Sequence, residues 1–449
     1  MDTICAISTH PQPAAIGIVR ASGPLAGKVA SKLFRPRNAA YPPYPHGRLL
    51  VGALALPARG QEVPECLLCF FEGPRSYTGE DLCEFHCPGS PILLGELMEE
   101  LVRQGCRPAE RGEFTRQAWV NGRVDLPAAE VLNELIRART REGMLLAASQ
   151  MNRALSERIG AARAALVDTI STLEAAIEFG ETDGVGIDRR EMVERIEAQA
   201  SAQDALAQSF SASRALREGC RVVITGKANT GKSTLFNYLA GCERAIVHSR
   251  PGTTRDVLRE TIELGRITVT LHDTAGFREA ATGDEVEAEG IRRTHDMLKH
   301  SDGAIVVLDG SQPLEDADRA VLDAARRKPH LILLNKIDLG RDRTHQEGME
   351  VSLTRGDNRD EIAPAIARVF GGAEWAQTGP MVLTLRQKRC VTKSAAALHR
   401  AARVLRSGGE EEVAAEELRE ASEAMSDLAG EVTPQEVIDR VFSSFCIGK

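Results

Sequence analysis

The stretch GKANTGKS, residues 226 to 233, sets two glycines, a lysine and a serine at the spacing of a phosphate-binding loop. Gly226 and Gly231 let the backbone turn its amides toward a phosphate, Lys232 brings a mobile positive charge, and Ser233 a hydroxyl able to ligate Mg2+. RVVIT precedes the stretch and TLFNYLA follows it, which predicts strand, loop and helix, with the helix N-terminus adding its own field. Three further motifs follow in order. GTTRD (252 to 256) offers Thr254 to complete a magnesium shell. DTAG (273 to 276) ends a strand, where Asp273 can hold the metal's waters and the Gly276 amide can reach a terminal phosphate. NKID (335 to 338) selects the base. Guanine presents two neighbouring donors and an ionised carboxylate only accepts, so Asp338 suits guanine, with Lys336 covering the ring and Asn335 bracing the loop. Each motif alone reads as an ordinary loop; four in this order predict a GTPase. The expected nucleotide contacts are Asn229, Thr230, Gly231, Lys232, Ser233, Thr234, Thr253, Thr254, Asp273, Thr274, Ala275, Gly276, Asn335, Lys336 and Asp338, with Lys232 also catalytic.

Position 277 shows what this site lacks. Ras-like GTPases orient the attacking water with a glutamine after the DTAG motif, and Phe277 cannot do so. Hydrolysis must recruit another acid or a cation, and the acidic segment 278 to 290, REAATGDEVEAEG, is the obvious source.

The elements around these motifs divide the 449 residues into about three domains. Residues 1–117 alternate short apolar runs such as AIGIVRASG and CLLCFF with Pro and Gly clusters, the texture of a strand-rich domain. No proline occurs between Pro127 and Pro251, and Leu155, Ile159, Ala162, Leu166, Ile170, Leu173 and Ile177 mark one apolar face of a long helix. A second helix is expected after the Gly-rich loop FGETDGVGID. In 217–380 the runs RVVIT, ITVTLHD, GAIVVLDG and LILLNK fit strands buried on both faces of a largely parallel sheet. Helical texture returns in 381–449, where Thr433 is expected to cap a helix with Pro434 at its first position. The fold class is therefore α+β multidomain: a strand-rich N-terminal domain, a discontinuous helical domain (118–216 and 381–449), and an α/β P-loop domain inserted at 217–380.

Composition narrows the function. A net charge of −8 argues against a general basic coat for nucleic acid, so any such contact must be local or shared with a partner. No run approaches a membrane span and the N-terminus lacks the regions of a signal peptide, so the chain reads as cytoplasmic. Ten cysteines are too few for a disulfide scaffold. Cys66, Cys69, Cys83 and Cys87 could in outline hold zinc, but residues three apart on a strand face opposite ways, which favours strand core. Cys446 in FSSFCIGK stands where a prenyl group would attach, yet Gly448 and Lys449 do not fit a prenylation box. Val441, Phe442, Phe445 and Ile447 are unusually apolar for a loose end, so the tail is expected to be buried.

With GTTRDVLRE, DTAGFREA followed by DEVE, and the terminal SSFCIGK, the whole chain resembles the MnmE (TrmE) family of bacterial GTPases of tRNA wobble-uridine modification. The resemblance implies a homodimer built through the N-terminal domains, working with a flavin- and NADH-dependent partner of the MnmG (GidA) type. Together they would attach an aminomethyl or carboxymethylaminomethyl group to tRNA, using a one-carbon tetrahydrofolate derivative bound in the N-terminal domain. It also implies cofactors GTP, Mg2+ (Ser233, Thr254) and K+, the last in a loop comprising Asn229, His248, Arg250 and Thr253. Glu287 in DEVE matches the water-orienting glutamate. Folate contacts match Arg20, Glu84, Arg123 and Lys449, and Cys446 becomes a candidate for chemistry or a residue lining that site. The sequence departs from the family pattern in HPQPAAIGIVR before Arg20, in CPGS after Glu84, at Arg123 and His248 in place of lysine and threonine, and in VSLT (351 to 354). A rival reading is a regulatory GTPase switch, for ribosome assembly or as a scaffold, without modification chemistry.

Potassium is tested by GTP turnover in matched KCl and NaCl. Faster turnover in KCl is expected, and equal rates would remove the cation from the mechanism.

Overall fold

The computed structural model describes residues 2–38, 41–138, 140–151, 153–183, 188–241, 259–264, 267–273, 299, 301–371 and 379–448. They form two units, one of Met1–Asn133, Leu155–Gln203 and Arg389–Lys449, the other of Glu134–Ala154 and Asp204–Lys388.

The first unit is built on a seven-stranded sheet. Its strands are β1 (Ile4–Ile7), β2 (Ala14–Ser22), β3 (Phe34–Pro36), β4 (Leu49–Leu56), β5 (Gln61–Phe71), β6 (Leu82–Gly89) and β7 (Arg107–Pro108), in the order β3-β4-β5-β6-β2-β1-β7. All pairings are antiparallel except β1 with β7. Successive side chains on a strand face opposite ways, and the sequence uses both faces. Cys5, Val19, Ala21, Leu68, Cys83 and Phe85 meet Val29, Leu33, Leu94, Leu97 and Leu101 of two helices, Ala26–Leu33 and Pro91–Arg103. Ile4, Ala6 and Leu82 point the other way, onto Phe114. Cys66 belongs to the first core, whereas Cys69 pairs in register with Glu84 on the opposite face. Cys83 and Cys87 share that core with Cys66, so only Cys69 faces the other way, and among the described residues no group of three or more His, Cys, Asp or Glu is arranged for a metal.

Helices from both ends of the chain complete this unit. The helix Ala154–Asp183 buries Leu155, Ile159, Leu166 and Leu173, as the periodicity predicts, but runs to Asp183, five residues into the segment expected as a loop. Arg419 of the helix Glu411–Ala429 reaches Glu174 at 2.7 Å, and Arg189 reaches Glu411 at 3.0 Å. Thr433 is not the expected cap: Pro434 holds the N-cap place before the helix Gln435–Ser443, and the Thr433 hydroxyl donates to the Asp427 carbonyl. The hydroxyl thus ties the helix to the preceding one instead of serving its own amides.

The C-terminal segment packs onto the N-terminal part. Ile438, Phe442 and Phe445 join Leu126, Ala129 and Trp119 in one buried cluster, with the Phe442 ring 6.0 Å from Trp119 and 5.8 Å from Phe445. The approach is close: a Cβ on Gly112, which has φ +68°, would lie 2.4 Å from the Phe442 carbonyl oxygen. Ile447 forms a backbone bridge with Arg111, and its side chain is exposed, against expectation, because backbone pairing and not side-chain burial holds the chain there. A Cβ on Gly448 would lie 2.5 Å from the Ile7 carbonyl oxygen.

The second unit holds β8 (Cys220–Thr225), β9 (Arg259–Leu264), β10 (Ile267–Asp273), β11 (Gly303–Asp309), β12 (His330–Asn335) and β13 (Met349–Glu350), in the order β13-β12-β11-β8-β10-β9. Only β9 runs antiparallel, pairing with β10. Both faces are covered, as continuous apolar strands require. Val222, Ile224, Ile305 and Val307 pack on Leu235, Leu239, Ile362 and Ile366, and Ala304, Val306 and Leu334 pack on Leu322 and Ala325. No described helix is long and apolar enough to cross a membrane.

Replacing Phe445 with alanine is expected to cost about 3 kcal/mol, the usual loss for a buried aromatic. Denaturant unfolding measures it, and a loss under ~1 kcal/mol would mean the tail contributes no core.

Candidate nucleotide site and a polar hollow

In the second unit the sheet delivers two motif-bearing loops, and the Asp273 end of β10, to the C-terminal ends of its parallel strands, where α/β sheets carry their ligands. β8 leads into residues 226–231 and then the helix Lys232–Gly241. Gly226 (φ +142°), Asn229 (φ +61°) and Gly231 (φ +106°) all take positive φ, curling the loop as four-residue turns of ordinary residues could not. The buried Thr230 hydroxyl donates to the Lys227 carbonyl at 3.0 Å, and the Lys232 ammonium donates to the same oxygen. Ser233 and Thr234 are exposed at the helix start, and Asn229 at the loop's crest.

The β12 loop is tied directly to this one. Asn335 is buried, its Nδ2 donates to the Thr230 carbonyl at 2.8 Å, and its Oδ1 accepts from the Leu353 amide at 3.0 Å. Asn335 therefore ties the two loops together. Lys336 has φ +67° and reaches Asp309 at 2.7 Å. Burial alone would raise the Asp309 carboxyl; hydrogen bonds from Lys336 and Ser311 outweigh it and hold the group below the usual carboxylate range. Asp338 accepts from the Ser352 hydroxyl at 2.6 Å, which fixes one carboxylate oxygen. Sequence reasoning did not single out Asp309 or Ser352. Ser352 lies in the departing VSLT stretch, and Asp309 ends its strand just as Asp273 does, a signal that was available. Asp273 closes β10 beside Ile224 of β8. His248, Arg250, Thr253, Thr254, Thr274, Ala275, Gly276, Phe277 and Glu287 lie outside the described residues, as does Lys449.

The first unit holds a different site. Strand alternation sends Arg20 of β2 and Glu84 and His86 of β6 to the face opposite the main core, and Arg20 and Glu84 are direct cross-strand partners. Arg20 Nη2 lies 3.1 Å from Glu84 Oε1, and His86 Nε2 lies 3.4 Å from Glu84 Oε2. The guanidinium carbon sits 5.5 Å from the Phe114 ring centre. Burial would raise the Glu84 carboxyl; the neighbouring His86 ring and the Arg20 charge outweigh it and lower it, so it stays ionised at neutral pH. Arg20, Glu84, Phe71, Tyr77, Leu82 and Leu132 line a hollow of about 250 Å³. Arg20 Nε is buried without a hydrogen-bond partner among the described residues. The hollow thus offers one anion-seeking nitrogen, one acceptor carboxylate and two aromatic walls.

Of the residues expected here, Arg20 and Glu84 come together. Arg123 is exposed beyond the helix Glu113–Val120, and its Cγ would contact a Cβ on Gly79 at 3.3 Å, in the loop that follows Tyr77, so it is not among the lining residues. Cys446 is exposed, and its carbonyl accepts from the Gly112 amide at 3.4 Å. Tyr77, Phe71 and His86 went unnoticed in the sequence, although His86 follows Glu84 at strand period.

Comparison with known proteins shows the family. A model described as the MnmE helical domain matches residues 126–446, and one described as the GTP-binding protein TrmE N-terminus matches residues 3–123. The tRNA modification GTPase MnmE of Heliobacterium modesticaldum is 37% identical over 466 residues, covering 100% of this chain and 99% of its own. That of Syntrophobacter fumaroxidans is 38% identical over 465 residues, covering 100% and 98%. Among solved structures, Era of Aquifex aeolicus is 23% identical with a TM-score of 0.27, covering 40% of this chain and 66% of that one, a likeness too slight to argue from. Matched along its whole length by relatives of one kind, this chain belongs to the MnmE family of tRNA modification GTPases.

Proposed function

We propose that this chain is the GTP-hydrolysing subunit of a cytoplasmic, homodimeric wobble-uridine modification complex. With a flavin- and NADH-dependent MnmG-type partner it adds an aminomethyl or carboxymethylaminomethyl group to tRNA. The observation that carries the reading is the coexistence, in a chain matched end to end by tRNA modification GTPases, of a phosphate loop braced to a guanine loop and a separate hollow suited to a small polar aromatic ligand. The division proposed is 1–117 for folate binding and dimerisation, 118–216 with 381–449 for the helical domain, and 217–380 for GTP.

In the GTP domain, Lys232 and the amides around Gly231 bind the phosphates, Asn335 holds the loops, Lys336 covers the purine, and Asp338 accepts from guanine's two donors. Thr230, Thr234, Thr253, Thr274, Ala275 and Gly276 complete the contacts. Ser233, exposed at the head of its helix, would join Thr254 in holding Mg2+, with Asp273 holding the metal's waters. Asn229, at the exposed crest, is suited by its amide oxygen to K+, with the loop of His248, Arg250 and Thr253. K+ supplies positive charge beside the phosphates where other GTPases use an arginine. Glu287 orients the attacking water that Phe277 cannot.

The hollow of the first unit fits a reduced folate. The Glu84 carboxylate can accept from pterin donors, Tyr77 and Phe71 present rings for stacking, and Arg20 keeps a buried donor without a partner among the described residues, which suits a ligand oxygen. Bound folate supplies the one-carbon unit. Arg123, Lys449 and Cys446 then belong to its rim, and the tail's docking beside Ile7 supports their approach.

Mass spectrometry of nucleosides from total tRNA, in cells with and without the gene, tests the function. Loss of an aminomethyl-type wobble uridine, restored by a plasmid copy, is expected. An unchanged profile would favour the regulatory switch. The hollow has its own test: Glu84→Gln should weaken binding of a reduced folate by about 10-fold or more, as a charged acceptor is lost. Unchanged affinity by calorimetry would place folate elsewhere.

A further inference from the structure

Ten residues between the two nucleotide loops, 309 to 318 (DGSQPLEDAD), hold both loops by their lysines. At one end Asp309 takes Lys336 at 2.7 Å through Oδ2, while its Oδ1 accepts from the Ser311 hydroxyl at 2.6 Å. At the other end Glu315 and Asp318 take Lys227, the second residue of the phosphate loop, at 2.5 and 2.8 Å. Asp318 is buried and also accepts from the Glu315 amide at 3.2 Å, so its carboxylate is fixed by the start of the helix Asp316–Ala325. Lys227 in turn presents the carbonyl that receives both Thr230 and Lys232.

The segment is anchored from behind. The Gly310 amide donates to the Asn335 carbonyl at 2.7 Å, and the Gly310 carbonyl accepts from the Asp342 amide at 2.8 Å. The Leu314 amide donates to Thr344 Oγ1 at 3.0 Å, and His345 Nε2 lies 2.8 Å from the Gln312 carbonyl. A free loop could not aim three carboxylates; this one is tied at four points, to Asn335, Asp342, Thr344 and His345.

We infer that segment 309–318 is an acidic brace that sets nucleotide affinity: Asp309 positions Lys336 over the base, and Asp318 with Glu315 positions Lys227 and hence the carbonyl at the root of the phosphate loop. All are positioning residues that act through the lysines. The inference rests on the nucleotide reading proposed above for both loops.

Calorimetric titration of full-length protein with GDP, IDP and a non-hydrolysable GTP analogue, with Mg2+ present, tests it. Wild-type binding establishes the nucleotide reading, and its absence would sink that reading rather than the brace. Given wild-type binding, Asp309→Asn is expected to weaken GDP and IDP by the same factor, about 3- to 10-fold, because the lysine stem covers the ring common to both. A loss confined to GDP would instead implicate the guanine edge and overturn the assignment. Lys227→Met and Asp318→Asn should each weaken GDP by a similar factor, and the double variant no further, because one contact is removed twice. Multiplying effects, or unchanged affinity, would overturn the brace. KM for GTP should rise several-fold in Asp318→Asn while kcat changes less than about twofold; the reverse split would also overturn it. Lys227→Arg, which keeps the charge, should restore affinity. Thermal melts identify any variant that fails to fold, and Asp309→Glu then replaces Asp309→Asn, with weakened binding of both diphosphates alike still expected.

Discussion

Everything at the nucleotide site depends on how closely the phosphate loop lies against the strand ends beside it. A Cβ on Gly226 would sit 2.1 Å from the Val307 carbonyl oxygen of β11, and one on Gly231 would sit 2.3 Å from Asn335 Nδ2. Real side chains never approach so closely, and both positions have the positive φ that glycine alone tolerates well. The two glycines therefore do more than permit a turn. They let the loop settle onto the ends of β11 and β12, within reach of the Asn335 amide. The distance between phosphate loop and base loop is then fixed by the register of three parallel strands, β8, β11 and β12, and not by the preferences of either loop.

The first unit uses strand geometry in another way. Alternation along β2 and β6 builds a core on one face, and the same alternation must put Arg20 and Glu84 together on the other. A largely buried ion pair is poor evidence for stability, since two apolar side chains of similar volume would serve the sheet as well or better. The pair also leaves Arg20 Nε without a partner among the described residues, a cost no packing argument explains. Stability alone gives no reason for these residues, whereas a ligand with an acceptor at one end and donors at the other does.

The sequence disclosed what is periodic or local. The parallel strands of the second unit, the long helix from 154 and the turn residues of GKANTGKS follow from hydrophobic spacing and backbone permissions, which neighbours in sequence determine. It disclosed less where the partner is distant. Thr433 looks like a helix cap until the Asp427 carbonyl is found nearby. Ile447 looks buried by its apolarity, but a backbone bridge to Arg111 turns its side chain outward. Arg20 and Glu84 were reached through resemblance; their adjacency depends on a register between strands 64 residues apart, and Tyr77 and His86 became visible only with that register in place.

The lysines of the nucleotide unit show how chain and fold divide the work. A site for a polyanion gathers like charges that repel one another before the ligand arrives, and a lysine with positive φ adds roughly 1 kcal/mol of backbone strain. Lys336 has φ +67° and is met by Asp309; Lys227 is met by Glu315 and Asp318. Burial would favour neutral Lys227, and the two carboxylates outweigh it, so the ammonium keeps its charge. Lys232 donates to a neutral carbonyl within its own loop. A carbonyl yields its donor to a phosphate far more readily than a carboxylate does. Lys336 and Lys227 are thus held in place by carboxylates that the segment 309–318 supplies.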